Sequence, residues 1–388
     1  MHDEFDLLVR GGTLVGTSVP EGARRADVGV RGGHVAAIGH LAGAAAQEVV
    51  DADGLYVSAG WIDIHAHVFR LDGPERLDTD RDAGVGTGVT TVVDAGSAGV
   101  ADFAEFVESV VAPARTRVLS FLNISVDTAR RPRHGYWDNF DTARTLAAFE
   151  DDERAVLVGL KVMASQSHSG VMGLEPVKLA VQAARLSGTR VLCHIGNSPP
   201  VVDDVLDRLR AGDIVTHAWH GKPGGLLDRA GRALPAALDA AERGVAFDLG
   251  HGSASFAFAT GLRARAAGLP LDTVSTDIHA PNHIAGPVYD LATTMSKVLF
   301  LGFDLETVVA MVTDRAAAAI GRARDLGTLA VGREADLTLF ERRPGPVTLV
   351  DAEGVRVEAS ERIVPRLAVR RGVPYACRDA LLPRSADG

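Results

Sequence analysis

From Val57 to His279 the chain repeats one pattern eight times: a short apolar run, then a stretch with the periodicity of an amphipathic helix. The runs are 57–68, 90–96, 117–125, 155–163, 190–197, 213–219, 245–251 and 271–279. Strands that are apolar on both faces belong in a parallel sheet covered by helices. The helical stretches supply the crossovers that parallel pairing requires. Helices are expected over 100–112, 174–187, 201–211, 234–243 and 256–267, with 304–320 following the last strand. Eight such units close most simply into a (β/α)8 barrel of the TIM type. An open doubly wound sheet is the competitor, but no strand is followed by the glycine-rich dinucleotide fingerprint.

The two ends of the chain read differently. Residues 1–56 are short strands punctuated by tight turns at Gly11–Gly12 and Gly32–Gly33. Strand character returns beyond Arg322. Neither fragment alone offers enough strands to bury a core comfortably. Residues 1–56 and 323–388 are therefore expected to form one discontinuous β-sandwich flanking a barrel of 57–322, with a loose end from about Leu382.

Composition narrows the function. The 388 residues are 46% hydrophobic, ample for a large core. A net charge of −10 without a lysine-rich run argues against nucleic acid or an anionic membrane as the main partner. No apolar run reaches the ~20 residues of a membrane helix, and the N-terminus lacks a basic segment followed by an apolar one. The two cysteines, Cys193 and Cys377, lie far apart, which suits a reducing compartment without a disulfide framework. A cytoplasmic protein acting on a small molecule is expected. Its Ala-rich outer helices permit a homo-oligomer without requiring one.

The histidines locate the chemistry. His65 and His67 stand at i and i+2, on one face of the first barrel strand. Two imidazoles offered there make a good start for a divalent metal site. Taken alone, such a pair is as readily solvated or packed in a core. Ten of the 13 histidines fall at barrel strand ends or in the loops that follow: His65, His67, His134, His168, His194, His217, His220, His251, His279 and His283. None occurs after residue 283. Barrel enzymes build their active sites at that rim. Along it lies an ordered set of His65 and His67, Lys161, His194, His217 and Asp277. Lys161 is the odd member, because a lysine in an apolar strand is costly as a bare ammonium. It could instead snorkel to solvent, and Asp277 could cap the next helix.

The set resembles the amidohydrolase superfamily, and the resemblance covers nearly the whole chain. It includes the split sandwich and the closing G-x-x-x-x-G-x-x-A-D-L segment at 327–337. The branch it resembles carries HxH, Lys, His, His, Asp, as dihydroorotases, hydantoinases and isoaspartyl dipeptidases do. The segments H-A-H-V-F, G-L-K-V-M, C-H-I-G-N-S-P, T-H-A-W-H-G and D-L-G-H-G are similar to a dihydroorotase-like group whose members deacetylate small acids.

The resemblance implies two divalent ions, with zinc suited to the imidazole and carboxylate donors. His65, His67 and Asp277 would hold the buried ion and His194 and His217 the exposed one. Lys161, as an N6-carboxylysine formed with carbon dioxide, would bridge them beside a hydroxide. That hydroxide would attack the substrate carbonyl, with Asp277 as general acid and base. The expected reaction is cleavage of an amide or ester of a small carboxylated compound, with deacetylation of an N-acetyl amino acid or O-acetyl 2-hydroxy acid favoured. A cyclic amidohydrolase of dihydroorotase or hydantoinase type is the alternative, and a non-catalytic barrel scaffold the third reading.

Arg70, Asn197, His251, Ser253 and His279 are the substrate-binding candidates, with His168 and His220 also near the pocket. Dihydroorotases usually place a carboxylate-binding arginine two residues after the second histidine, where this chain has Phe69. That departure argues against orotate-pathway activity. Met163, Met172 and Cys193 read as packing residues.

Overall fold

The computed structural model describes residues 4–17, 24–70, 76–128 and 137–378, so His2, His134 and the segment from Leu382 lie outside the described residues. Two sheets organise them. The N-terminal end supplies β1 (Phe5–Leu14), β2 (Arg25–Arg31), β3 (His34–Gly39), β4 (Ala46–Asp51) and β5 (Tyr56–Ala59). Seven parallel strands follow in sequential order: β6 (Trp61–Ala66), β7 (Val89–Ala95), β8 (Arg117–Asn123), β9 (Leu157–Ala164), β10 (Val191–Ile195), β11 (Ile214–Thr216) and β12 (Ala246–Asp248). The C-terminal end returns with β13 (Leu337–Val350), β14 (Arg356–Arg370) and β15 (Val373–Ala376).

Both chain ends share one sheet, in the order β15-β14-β13-β5-β1-β2-β3 with β4 on β1. Its seam is the antiparallel pair β5–β13, running from Tyr56 opposite Phe340 to Ala59 opposite Leu337. Leu7, Val9, Val28, Val57, Leu337 and Leu339 bury a core of their own there.

The run 57–68, expected as a single strand, is divided at Gly60 between the two sheets. A Cβ on Gly60 would stand 2.1 Å from Thr90 Oγ1, so only glycine lets the chain pass from one sheet to the other here. Flanking residues on both sides are buried, and their apolar pattern does not reveal that they belong to different sheets.

The barrel closes through its eighth segment, 271–279, without a regular ladder. Thr273 bridges Asp248 of β12, and Ile278 bridges Ala66 of β6. Between these contacts the Asp277 amide donates to the His65 carbonyl and the His67 amide to that of Ile278. Asp277 has a φ of 49°, which no extended strand accommodates. The ladder is therefore interrupted at the residue expected to carry chemistry.

Outer helices Glu175–Leu186, Pro235–Glu242 and Phe258–Ala266 lie where periodicity places them. The expected helix 304–320 is instead two, Leu305–Met311 and Asp314–Ala319, with Thr313 out of helical geometry between them. The sequence also hid a helix, Leu291–Phe300, which comes after the eighth segment and the short helix Ala280–Ile284. It is buried from Leu291 through Val298, so it has no polar stripe to reveal its period. Among the described residues no helix is long and apolar enough to cross a membrane.

Candidate metal centre

Five barrel segments bring the ordered set together at one rim. From β6, His65 and His67 place their Nε2 atoms 3.3 Å and 3.1 Å from Asp277 Oδ1. His217, just past β11, has Nε2 4.0 Å from Asp277 Oδ2. Lys161 Nζ, from β9, lies 3.1 Å from His65 Nε2. The His194 ring, from β10, meets the His217 ring edge-on at 4.4 Å between centroids, while its Nε2 engages Ser165 Oγ at 3.2 Å. Donor atoms of His65, His217 and Asp277 all lie within 4.8 Å of one another, a group able to hold a metal ion.

The other ring nitrogens explain the orientation. His65 Nδ1 is 2.9 Å from Thr216 Oγ1, and the Thr216 hydroxyl donates to Asp248 Oδ2 at 2.6 Å. With that proton committed, Thr216 accepts from His65, which leaves the His65 Nε2 lone pair facing the cluster. His217 Nδ1 donates to the Gly250 carbonyl at 2.6 Å, with the same result. His67 Nδ1 meets Ser97 Oγ at 2.8 Å, and Asp94 holds Ser97 through its amide. Metal-binding histidines are ordinarily anchored in this manner.

The backbone is strained at two members of the set. His217 (φ 66°) and Asp277 (φ 49°) occupy the left-handed region, which costs a non-glycine residue energy that the surroundings must offset. Close packing holds them there: a Cβ on Gly252 would stand 2.4 Å from Asp277 Oδ2.

Burial sets the charges. It pulls the Lys161 ammonium down to about 8, so a neutral amine is accessible. Burial, reinforced by the neighbouring His217 and His168 rings and Lys161, keeps His194 well below the ordinary imidazole value. Burial works to raise the Asp277 carboxyl, yet the His65, His67 and His217 imidazoles hold it well below the usual carboxylate range. Imidazoles at His194 and His217 held toward the neutral form beside an ionised carboxylate belong to a donor set that fits a divalent ion. Lys161 fits only without its positive charge.

The cluster floors a cavity of about 270 Å³. Arg70, Ser253 and His279 line it, as do His168 and Met163, the latter expected only to pack. Arg70 is ion-paired with Glu105 and lies over the Phe69 ring. Ser253 Oγ and His279 Nε2 are 3.0 Å apart. The remaining two substrate candidates do not reach the wall. Asn197 lies against Gln166 and Ser167. His251 is fully buried behind it, between Lys297 Nζ at 2.8 Å and the Gly252 carbonyl at 2.9 Å. His220 is buried beside the cavity and accepts the Lys222 amide on Nδ1. Sequence reasoning overlooked Lys222, which lines the cavity from the loop after β11. Its signal was a lysine five residues past His217. Thr216, Asp248 and Lys297 were also missed, and no sequence pattern marks them.

The chain is similar to known proteins along most of its length. Residues 232–364 match the Amidohydrolase family. Over 342 residues the chain is 36% identical to a deacetylase of Agrobacterium fabrum, covering 87% of this chain and 83% of that protein. A crystal structure of an adenine deaminase superposes with a TM-score of 0.89 at 33% identity, covering 96% of this chain and all of that one. A dihydroorotase structure gives 0.84 at 32% identity, covering 97% and 99%.

Proposed function

Because the chain belongs to the amidohydrolase superfamily and is a hydrolase acting on C–N bonds, we propose that its cavity deacetylates a small carboxylated compound. An N-acetyl amino acid or an O-acetyl 2-hydroxy acid fits the description. The observation that carries the reading is the convergence of imidazole Nε2 atoms, the Asp277 carboxylate and the Lys161 amine on one buried floor. The Agrobacterium deacetylase supports the acetyl group. A cavity of about 270 Å³ suits a ligand at the small end of the usual range.

His65, His67 and Asp277 would hold one divalent ion and His194 and His217 a second, with zinc favoured by the donor types. Bound, such ions supply Lewis acidity toward the acyl carbonyl and acidify a water. Lys161 would contribute as an N6-carboxylysine. Its neutral amine nitrogen would bond to the carbon of carbon dioxide as the N–H proton passes to solvent, so that an awkward cation becomes a carboxylate. Asp277, kept ionised by its imidazole neighbours, accepts a proton and delivers it to the leaving nitrogen or oxygen. Thr216 and the Gly250 carbonyl hold His65 and His217 in the tautomers this requires, and Ser97 orients His67.

Ring opening of dihydroorotate or a hydantoin is the second reading, favoured by the dihydroorotase likeness. Phe69 weakens it, since this buried ring packs on Phe106 where an arginine would be needed. The test is a panel on metal-loaded enzyme: N-acetyl and O-acetyl acids as single enantiomers, dihydroorotate, hydantoin and adenine. Acetate release is expected. Ring opening or ammonia release without acetate release would overturn the proposal.

A further inference from the structure

A carboxylated substrate needs a cation at the wall, and three basic side chains line this cavity: Arg70, Lys161 and Lys222. Two are already engaged. Lys161 is fully buried at the floor against His65. Arg70 is half-exposed, paired with Glu105, and its guanidinium lies 5.1 Å from the centre of the Phe69 ring. A carboxylate arriving at Arg70 would have to compete with a resident one.

Lys222 is in the opposite condition. Its backbone amide donates to His220 Nδ1 at 3.1 Å, and Gly225 packs against the same imidazole, so the loop after β11 is pinned. The side chain is only partly exposed. Among the described residues no hydrogen bond or ion pair engages its ammonium. Burial lowers its pKa and the Asp277 charge opposes that shift, which places its field on the catalytic floor. A cation partly stripped of water and left without a counterion is costly. A ligand carboxylate relieves that cost with a charge-assisted hydrogen bond.

We propose that Lys222 is the specificity-determining residue of this cavity, binding the substrate carboxylate on the β11 side while the acyl group lies over the His65–Asp277 floor. The inference rests on the deacetylase reading and adds to it the group that selects acids over neutral acyl compounds. Lysine presents a compact point charge, so it selects for the anion and sets little constraint on its plane. A guanidinium fork would behave differently.

The experiment compares N-acetylalanine, N-acetylphenylalanine and O-acetyl-lactate, each as the free acid and as its primary amide, in both enantiomers, with metal content measured on every protein. Wild type is expected to prefer the better acid over its amide by about 100-fold in kcat/KM. Lys222→Met and Lys222→Gln are expected to raise KM for the acid at least about tenfold. Their metal content and their kcat/KM for the amide should stay as in wild type, and Lys222→Arg should recover part of the preference. Acid preference retained in both neutral variants, or abolished in Arg70→Met instead, overturns the role of Lys222 and leaves the deacetylase reading standing. Metal loss in the Lys222 variants also overturns it, because the effect would then run through the floor. Wild type that hydrolyses no acyl acid overturns both readings together.

Discussion

Single residues at the cluster owe their roles to what sits behind them. Thr216 accepts from His65 and donates to Asp248, so Thr216→Val removes the group that fixes which nitrogen of His65 carries the proton. Metal affinity measured by chelator competition should fall about 10- to 100-fold. Unchanged affinity would show that the tautomer is set elsewhere. Lys161→Ala should lose metal and turnover, with partial recovery in acetate or propionate, which can occupy the space of the missing carboxylate. Full metal content in that variant would remove Lys161 from the centre. Asp277→Asn keeps shape and deletes the base, and kcat should drop about 10³-fold. A near-normal rate would reassign the proton transfer.

Elements supply the geometry those residues need, and they do so at glycine junctions and buried faces. Gly60 is the crossing between β5 and β6, and a side chain there meets Thr90. Gly60→Val should cost about 2 kcal/mol and lower the melting temperature by about 2–3 °C. No shift would mean that Thr90 yields freely. Helix Leu291–Phe300 carries a second buried lysine, Lys297, whose ammonium donates to His251 Nε2 and to the Pro287 carbonyl at 2.7 Å. Burial pulls its pKa to about 7. The unfolded chain keeps an ordinary lysine near 10, so between those values it binds more protons than the folded one. The penalty of burying Lys297 is therefore full below pH 7 and fades as pH rises. From pH 7.5 to 9.5 wild type should gain on the order of 2 kcal/mol relative to Lys297→Met. A pH-independent difference would show that Lys297 stays protonated in both states.

On the scale of the molecule, the barrel closes through scattered bridges at 273–278, and that same segment delivers Asp277 to the β6 histidines. Ions held there, as proposed, would tie the last segment to the first strand. Exhaustive chelation should lower the melting temperature and readdition should restore it, with ~4 kcal/mol at stake when free metal is a thousandfold above Kd. Equal melting with and without metal would show that closure does not depend on the centre. The shared terminal sheet reinforces the closure from outside, since the Ile363 amide of β14 donates to Ser296 of helix Leu291–Phe300.

Much of this was legible in the linear chain because it rests on local periodicity. Alternation along a strand places His65 and His67 on one face whatever surrounds them, and apolar runs followed by helical stretches specify parallel units before any contact forms. Burial alone, however, does not say against what a residue is buried. Gly60 divides a uniformly buried run, and helix Leu291–Phe300 is too enclosed to show a stripe. Charge partners are chosen through space as well. Arg70 looked available until Glu105 stood beside it, while Lys222 was left facing the cavity by folding alone. Sequence thus determined the type and order of the side chains proposed to ligate. Tertiary structure decided their protons, their strain and which cation remains unpaired, because each depends on neighbours that are remote along the chain.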